Sequence, residues 1–251
     1  MSRESTIEIQ SKWPKTPAPL THEQRIAHDS FMKQWHEILP RRYGSIERFN
    51  HSFPVCHSRA GFHRTIEVGA GLGEHLCHER LTTEQESSYS AVELRLNMAE
   101  RLRARHRHIN VIVGDCQEHL PFPDGHFDRY LAIHVLEHLP NLPACVEEAW
   151  RLLDKRQGQL LVVIPCEGGL AYSLARRASA QPIFERTYQM PYRPFVEHEH
   201  LNRPHEVLAE LRPYFSIEAR RFFPLPLVPV VSLNLCLGLA LRPRPRPIHS
   251  R

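Results

Sequence analysis

The chain has six cysteines, Cys56, Cys77, Cys116, Cys145, Cys166 and Cys236, and no two of them stand at C-x-x-C spacing. Their scatter argues against a zinc ribbon or a thioredoxin-type motif and fits reduced thiols in a cytoplasmic protein. Residues 1–30 are polar and lack an apolar h-region, so no secretory signal is expected. Excess charge is also scarce. The net charge is +4 with 18 histidines counted neutral, and the last ten residues supply four arginines. With no basic stripe interleaved with aromatics, no nucleic-acid partner is expected. There is no internal repeat and no low-complexity block.

An unbroken membrane span is missing too. Phe222 to Leu241 has the length of one, but Pro224, Pro226 and Pro229 would break the helix. Its second half alternates, with Leu233, Leu235, Leu237, Leu239 and Leu241 on one face and Ser232, Asn234, Cys236, Gly238 and Ala240 on the other. Period two is a strand. The stretch reads as a Pro-rich loop followed by a buried strand, and weak peripheral membrane contact through the loop is compatible with it.

At 251 residues, with ordinary apolar and charged content, the chain is expected to form one globular domain with appendages. A helical extension is expected over residues 1–60, with Thr21 as N-cap and Ile26, Phe31, Trp35 and Leu39 on one face. Tyr43, Phe49 and Phe53 follow as aromatics suited to packing on the main body, residues 61–251. From Arg64 onward, strands and helices alternate. "TIEV" leads through a glycine turn into a helix reaching about Arg80, and "YSAVEL" precedes a helix from Arg95 to about His106. "NVIVGD" precedes a loop, "FDRYLAIH" precedes a helix within Val135 to Leu153, and "GQLLVVIPC" is nearly all apolar, as a strand covered on both faces should be. An insertion runs to about Asn202. The helix "RPHEVLAELRPY" and the strand "SIEARRFF" come next, then the Pro loop and the alternating strand. Repeated βα units imply an α/β, doubly wound, mostly parallel sheet, and the last two strands imply an antiparallel hairpin at its edge.

"IEVGAGLGEHL" places Gly69, Gly71 and Gly73 at the first strand-to-helix turn, where such sheets bind ligands. The dinucleotide fingerprint G-x-G-x-x-G is missed, because its third position holds Glu74, a carboxylate that would oppose a pyrophosphate. Glu93 closes the second strand, where it can accept ribose hydroxyls. Asp115 closes the third, where it can accept the exocyclic amine of adenine, beside the backbone N–H of Cys116. Glu67, just before the glycines, would favour a cofactor carrying a sulfonium and an ammonium.

Together, "IEVGAGLGEHL", "AVEL", "VGDCQEHLPFPDGHFDRYLAIHVLEHLPN" and "GQLLVVIP" resemble the ordered motifs of class I S-adenosylmethionine-dependent methyltransferases, the small-molecule set typified by ubiquinone and menaquinone biosynthesis. The resemblance covers about Arg64 to Pro165 and the terminal hairpin. It implies a Rossmann-like seven-stranded sheet of order 3-2-1-4-5-7-6 and S-adenosyl-L-methionine as cofactor. It places Glu67, Gly69, Gly71 and Gly73 at the methionine end, Glu93 at the ribose, Asp115 and Cys116 at the adenine, and Ile133 on the cofactor side of the fourth strand. A catalytically idle adenosyl-binding scaffold, an NAD-dependent enzyme and a zinc enzyme stay open as alternatives.

"HVLEH" also matches the inverted zinc-protease motif H-x-x-E-H, which needs His134 and His138 one turn apart on a helix. His134 instead ends the fourth strand, where the methyl group should point. His134 is therefore the expected base, and His138 the second candidate. His198, His200 and His205 stand among Glu197, Glu199 and Glu206, but no spacing rule brings them to one metal, and none is expected. The segment Leu170–His200 is expected to cover a small-molecule or sugar-containing acceptor, using Tyr172, Arg176, Arg177, Tyr188 and His200.

Overall fold

The computed structural model describes residues 12–42 and 44–247, without the side chains of residues 35–42. Trp35, Leu39 and Tyr43 fall outside the described side chains. Seven strands form one sheet: β1 (Thr65–Val68), β2 (Tyr89–Glu93), β3 (Asn110–Val113), β4 (Arg129–Ile133), β5 (Gln159–Pro165), β6 (Phe215–Phe223) and β7 (Cys236–Pro243). Their order is β3-β2-β1-β4-β5-β7-β6. The first five are parallel, and β7 runs antiparallel to both β5 and β6. This is the expected order and the expected edge hairpin.

Both sheet faces are buried, which is why β5 is apolar at almost every position. Leu160, Val162 and Ile164 join one core with Leu237, Leu239 and Leu241 under α5 (Leu142–Leu152) and α9 (Pro204–Leu211). Leu161 and Val163 join the other core with Ala99 and Leu102 of α4 (Leu96–Arg105) and Phe53 of α2 (Gly44–His57). The N-terminal segment thus contributes directly to the sheet's packing. Helix α1 (His22–Arg42) is capped by Thr21, whose Oγ1 accepts the Gln24 amide at 3.2 Å while Gln24 Oε1 accepts the Thr21 amide at 2.9 Å. Ile26 is 59% exposed, so it is not on the packed face. The helix buries Ala27 and Phe31, one turn apart, instead.

Two expectations about elements are corrected. The glycine turn does not open a full helix; only a 3₁₀ turn forms at His75–His78, and the next helix, α3 (Thr83–Ser87), starts after Thr82. The segment offers His75, His78 and Glu79 in place of an apolar stripe. His75 instead bonds Glu79 at 2.8 Å, and Glu79 pairs with the buried Arg129 of β4 at 2.8 Å. The alternating strand is also shorter than its pattern. It begins at Cys236, and Val231–Leu233 form a 3₁₀ turn. The segment after β5 folds as α6 (Leu170–Ala178), α7 (Ala180–Tyr188) and α8 (Arg193–Glu199). Among the described residues, no helix is long and apolar enough to cross a membrane.

Candidate active site

The glycine turn, Glu93, Asp115 and His134 all stand at the C-terminal edge of the parallel strands, where helix-covered sheets hold ligands. Gly69, Gly71 and Gly73 have φ of 62°, 59° and 83°, a region that L side chains rarely enter. At Gly69 a Cβ would also run into the Val135 side chain, so the turn and the end of β4 can approach only through glycine. Glu74 folds back over the turn and accepts the Leu72 amide at 2.9 Å. Its carboxylate sits where the dinucleotide fingerprint would offer amides to a pyrophosphate, which speaks against that ligand.

Glu93 is buried. Its Oε2 accepts the Gly71 amide at 3.0 Å, and its Oε1 accepts the Arg95 amide at 3.0 Å. The second strand's carboxylate is therefore tied directly to the glycine turn. Leu94, beside it, is 63% exposed and offers an apolar surface that the sequence reading did not single out. Asp115 is half-buried and accepts the Gln117 amide at 2.9 Å, while the Cys116 side chain is buried beneath it. Glu67 differs from expectation. It lies inside the fold, accepts the Tyr89 hydroxyl at 2.7 Å, and is pushed by burial to a pKa of about 8. At neutral pH it is largely a neutral acid, so it does not present the negative charge expected beside a sulfonium. Two surface cavities, about 300 Å³ beside α4 and about 400 Å³ beside α7, lie away from this edge and are lined by neither Glu93 nor Asp115.

Ile133 ends β4, and His134 follows with φ 54°. The His134 amide still donates to the Val163 carbonyl at 2.8 Å, so the ladder with β5 fixes its backbone. Its Nδ1 bonds Oε1 of Glu137 at 3.0 Å; Nε2 is buried with no protein partner, and so is Oε2 of Glu137. Burial opposes the charge on this imidazole. The hydrogen bond and field of Glu137, with the field of Glu47 on α2, outweigh it and raise the pKa above 6.5. The orienting role of Glu137 was not anticipated. The signal was its place three residues after His134 in "HVLEH", read there only as a zinc motif. The zinc geometry itself is absent: α5 begins only at Leu142, so the two histidines share no helix.

His138 Nδ1 donates to the Glu199 carbonyl at 2.7 Å, and burial lowers its pKa. Its ring stands edge-on to His200, with centroids 5.1 Å apart. His200 Nδ1 bonds Glu167 at 2.8 Å, and Glu167 also receives Arg176 at 2.8 Å. Tyr172 lies 6.4 Å from the His200 ring. Tyr172, Arg176 and His200 are thus brought together beside the histidine pair. Arg177 and Tyr188 are not. Arg177 is exposed on the outer side of α6, and Tyr188 packs against Phe31 and Phe184. The histidines and glutamates of "FVEHEHLNRPHE" also part company. His198 bonds the Ala18 carbonyl, Glu199 bonds His28, and Glu206 pairs with Lys12 and Lys15. Among the described residues, no group of three such side chains converges to hold a metal ion.

A seven-stranded sheet of this order, mostly parallel with an antiparallel C-terminal hairpin, matches the Rossmann-like fold found in methyltransferases. Residues 66–162, which span the glycine turn, Glu93, Asp115 and His134, match the family model of the methyltransferase domain. An uncharacterized protein of Methanocaldococcus jannaschii is 35% identical over 101 residues, 39% of this chain and 39% of its own length. The chloroplastic 2-methyl-6-phytyl-1,4-hydroquinone methyltransferase 1 of rice (Oryza sativa subsp. japonica) is 28% identical over 97 residues, 36% of this chain and 27% of its own. The matches thus span well under half the length of these curated relatives. Among solved structures, the PH0226 protein from Pyrococcus horikoshii OT3 shares the fold at a TM-score of 0.59 and 14% identity, over 84% of this chain and 99% of that one. A Thermotoga maritima protein described as a SAM-dependent methyltransferase, possible histamine N-methyltransferase, does so at 0.53 and 19% identity, over 83% and 98%.

Proposed function

We propose that this chain is a cytoplasmic enzyme that transfers a methyl group from S-adenosylmethionine to a hydroxyl of a small-molecule or sugar-containing acceptor. The observation that carries the reading is the His134–Glu137 pair at the end of β4. One ring nitrogen is held by a buried carboxylate, and the other is buried and unpaired. When bound, the cofactor supplies an electrophilic methyl carbon on a sulfonium. Glu93 would accept its ribose hydroxyls, Asp115 and the Cys116 amide would hold its adenine, and the apolar Leu94 would pack against the ring. With Nδ1–H donated to Glu137, Nε2 of His134 presents a lone pair that would take the O–H proton of an acceptor hydroxyl. Glu137 stabilises the imidazolium that results, as a carboxylate behind a general base does. Tyr172, Arg176 and His200 would wall the acceptor. Alignment at such a site is worth roughly 7–11 kcal/mol of the barrier.

Calorimetric titration with S-adenosylmethionine, S-adenosylhomocysteine and NAD, followed by a methyl-transfer screen over phenols, sugars and amines, tests the reading. Binding of both adenosyl compounds with transfer to hydroxyl acceptors supports it. Binding of NAD alone overturns it. Adenosyl binding with no transfer to any acceptor would mark a non-transferring scaffold, a role compatible with the fold, which the [4+2]-cyclase SpnF shares at a TM-score of 0.59.

A further inference from the structure

Beside the acceptor edge, the Pro-rich loop between β6 and β7 exposes a row of aliphatic side chains. Leu227 is 93% exposed, and Leu225, Val228, Val230 and Leu233 are 37–46% exposed. The loop is not slack. Asn234, fully buried beneath it, accepts the Leu225 amide at 2.8 Å and donates to the carbonyls of Val228 at 2.8 Å and Val230 at 3.0 Å. One asparagine thus holds three points of the loop backbone, and the aliphatics face outward from a fixed frame. Helix α6 packs on the same turn. A Cβ at Gly169 would lie 2.7 Å from the Val231 carbonyl oxygen. The helix adds Leu170 and Leu174, one turn apart and more than half exposed. In the flanking sequence the charge has one sign, and Glu167, just before α6, is taken up by Arg176 and His200. Residues 168–184 and 219–251 contain no Asp or Glu, whereas Arg177, Arg220 and Arg221 are exposed.

We infer that the stapled loop and α6 form a docking surface for an anionic lipid bilayer. Exposed aliphatics rimmed by arginine, with no acid among them, suit insertion to the headgroup level of a negatively charged leaflet. A protein partner would have to present an acidic, apolar face to match, and a second copy would bring arginine against arginine. Because β7 pairs antiparallel with β5 from Pro165↔Cys236 onward, the loop sits at the sheet edge that carries His134. An amphiphilic acceptor lying in the bilayer would therefore offer its polar head to the site, a consequence that rests on the function proposed above.

The test needs neither cofactor nor acceptor, so it stands apart from that function. The protein is sedimented with phosphatidylcholine vesicles with and without phosphatidylserine, alongside Leu227→Ser/Val230→Ser and Arg220→Glu/Arg221→Glu. The native chain should bind the phosphatidylserine vesicles at least tenfold more tightly than the neutral ones. Added salt and either double variant should each remove most of that binding, while the melting temperature stays unchanged. Failure to sediment with either vesicle, or equal sedimentation of the leucine–valine variant, overturns the inference. So does a concentration-dependent dimer that the same variant abolishes, which would make the surface a contact between copies.

Discussion

At the scale of single residues, the pKa directions yield two predictions. The His134 imidazole is held charged above its ordinary 6.5 by Glu137 and Glu47 against the cost of burial. A base must be neutral to accept a proton, so kcat/KM should rise with pH along a limb whose midpoint lies above 6.5. His134→Ala should lower kcat by about 10²–10⁴-fold without weakening cofactor binding, and Glu137→Gln should move the limb to lower pH. A loss below about tenfold in His134→Ala would mean that alignment suffices. Glu67 supplies the second prediction. Its folded pKa of about 8 lies above the ordinary 4.5, so its protonated form stabilises the fold, and that contribution is lost as pH rises toward 8. Glu67→Gln keeps an acceptor for Tyr89 and removes the titration. Its melting temperature, measured against native protein, should gain steadily between those pH values; parallel curves would show that Glu67 is not buried as described. The positions of Glu93, Asp115 and His134 were legible because each closes a strand. The state of Glu67 was not, because Tyr89, which binds it, comes from the adjacent strand and stands opposite Thr65, two positions away in register, whereas Glu67 stands opposite Ala91.

At the scale of elements, the sequence pattern succeeded where apolar periodicity was strong and failed where polar contacts decide the path. The 3₁₀ turn after the glycines follows from Arg129, Glu79 and His75. These are partners that lie far apart in sequence or look like surface residues in it. Arg129 and Glu79 are both nearly inaccessible. Removing one member of such a pair strands a buried charge, so Glu79→Ala should destabilise the protein by about 3–5 kcal/mol in calorimetric unfolding. A loss under about 1 kcal/mol would place the pair in effective contact with water. The helices that follow β5 are latched differently. Glu199 of α8 bonds His28 of α1 at 2.5 Å; burial would raise the Glu199 pKa, but His28, with His138 and His200, lowers it to about 2. His28 is raised above 6.5 by Glu199, with a further contribution from Asp29 against burial, and the rings of Phe195 and His198 complete its surroundings. The carboxylate's contribution is present above 4.5 and lost toward pH 2. The imidazolium's is present below 6.5 and lost above its raised value. The latch is therefore strongest between those two values. Amide exchange over residues 193–200, corrected for its intrinsic pH dependence, should accelerate on the alkaline side. In His28→Gln that added acceleration should vanish; an unchanged profile would show that the latch does not restrain α8.

At the scale of the whole molecule, the sheet order brings scattered motifs to one edge. β1, β2 and β3 are neighbours, so the glycine turn, Glu93 and Asp115 stand side by side although Gly69 and Asp115 are separated by two βα units. β4 lies on the other flank of β1 and sets His134 against the turn. A ligand that uses all of these groups bridges four strand ends in the folded state and finds no such site in the unfolded chain. It should therefore stabilise the protein by linkage. At a concentration one hundred times its Kd, the gain is about 2.7 kcal/mol. For a chain of this size each kcal/mol is worth roughly 2–4 °C, so S-adenosylhomocysteine should raise the melting temperature by about 5–11 °C. Gly71→Val forces a branched side chain into a backbone at φ 59° and against Glu74, and should abolish the shift measured from its own unliganded baseline. Asp115→Asn leaves the turn intact and should reduce the shift, since an amide in its place cannot offer the same charge to the adenine amine. Arg177→Ala, on the outer side of α6, should leave the shift as it is. If Asp115→Asn and Arg177→Ala behave alike, the carboxylate edge is not where the ligand sits. If NAD alone produces the shift, the Glu74 carboxylate does not exclude a pyrophosphate and the adenosyl assignment falls.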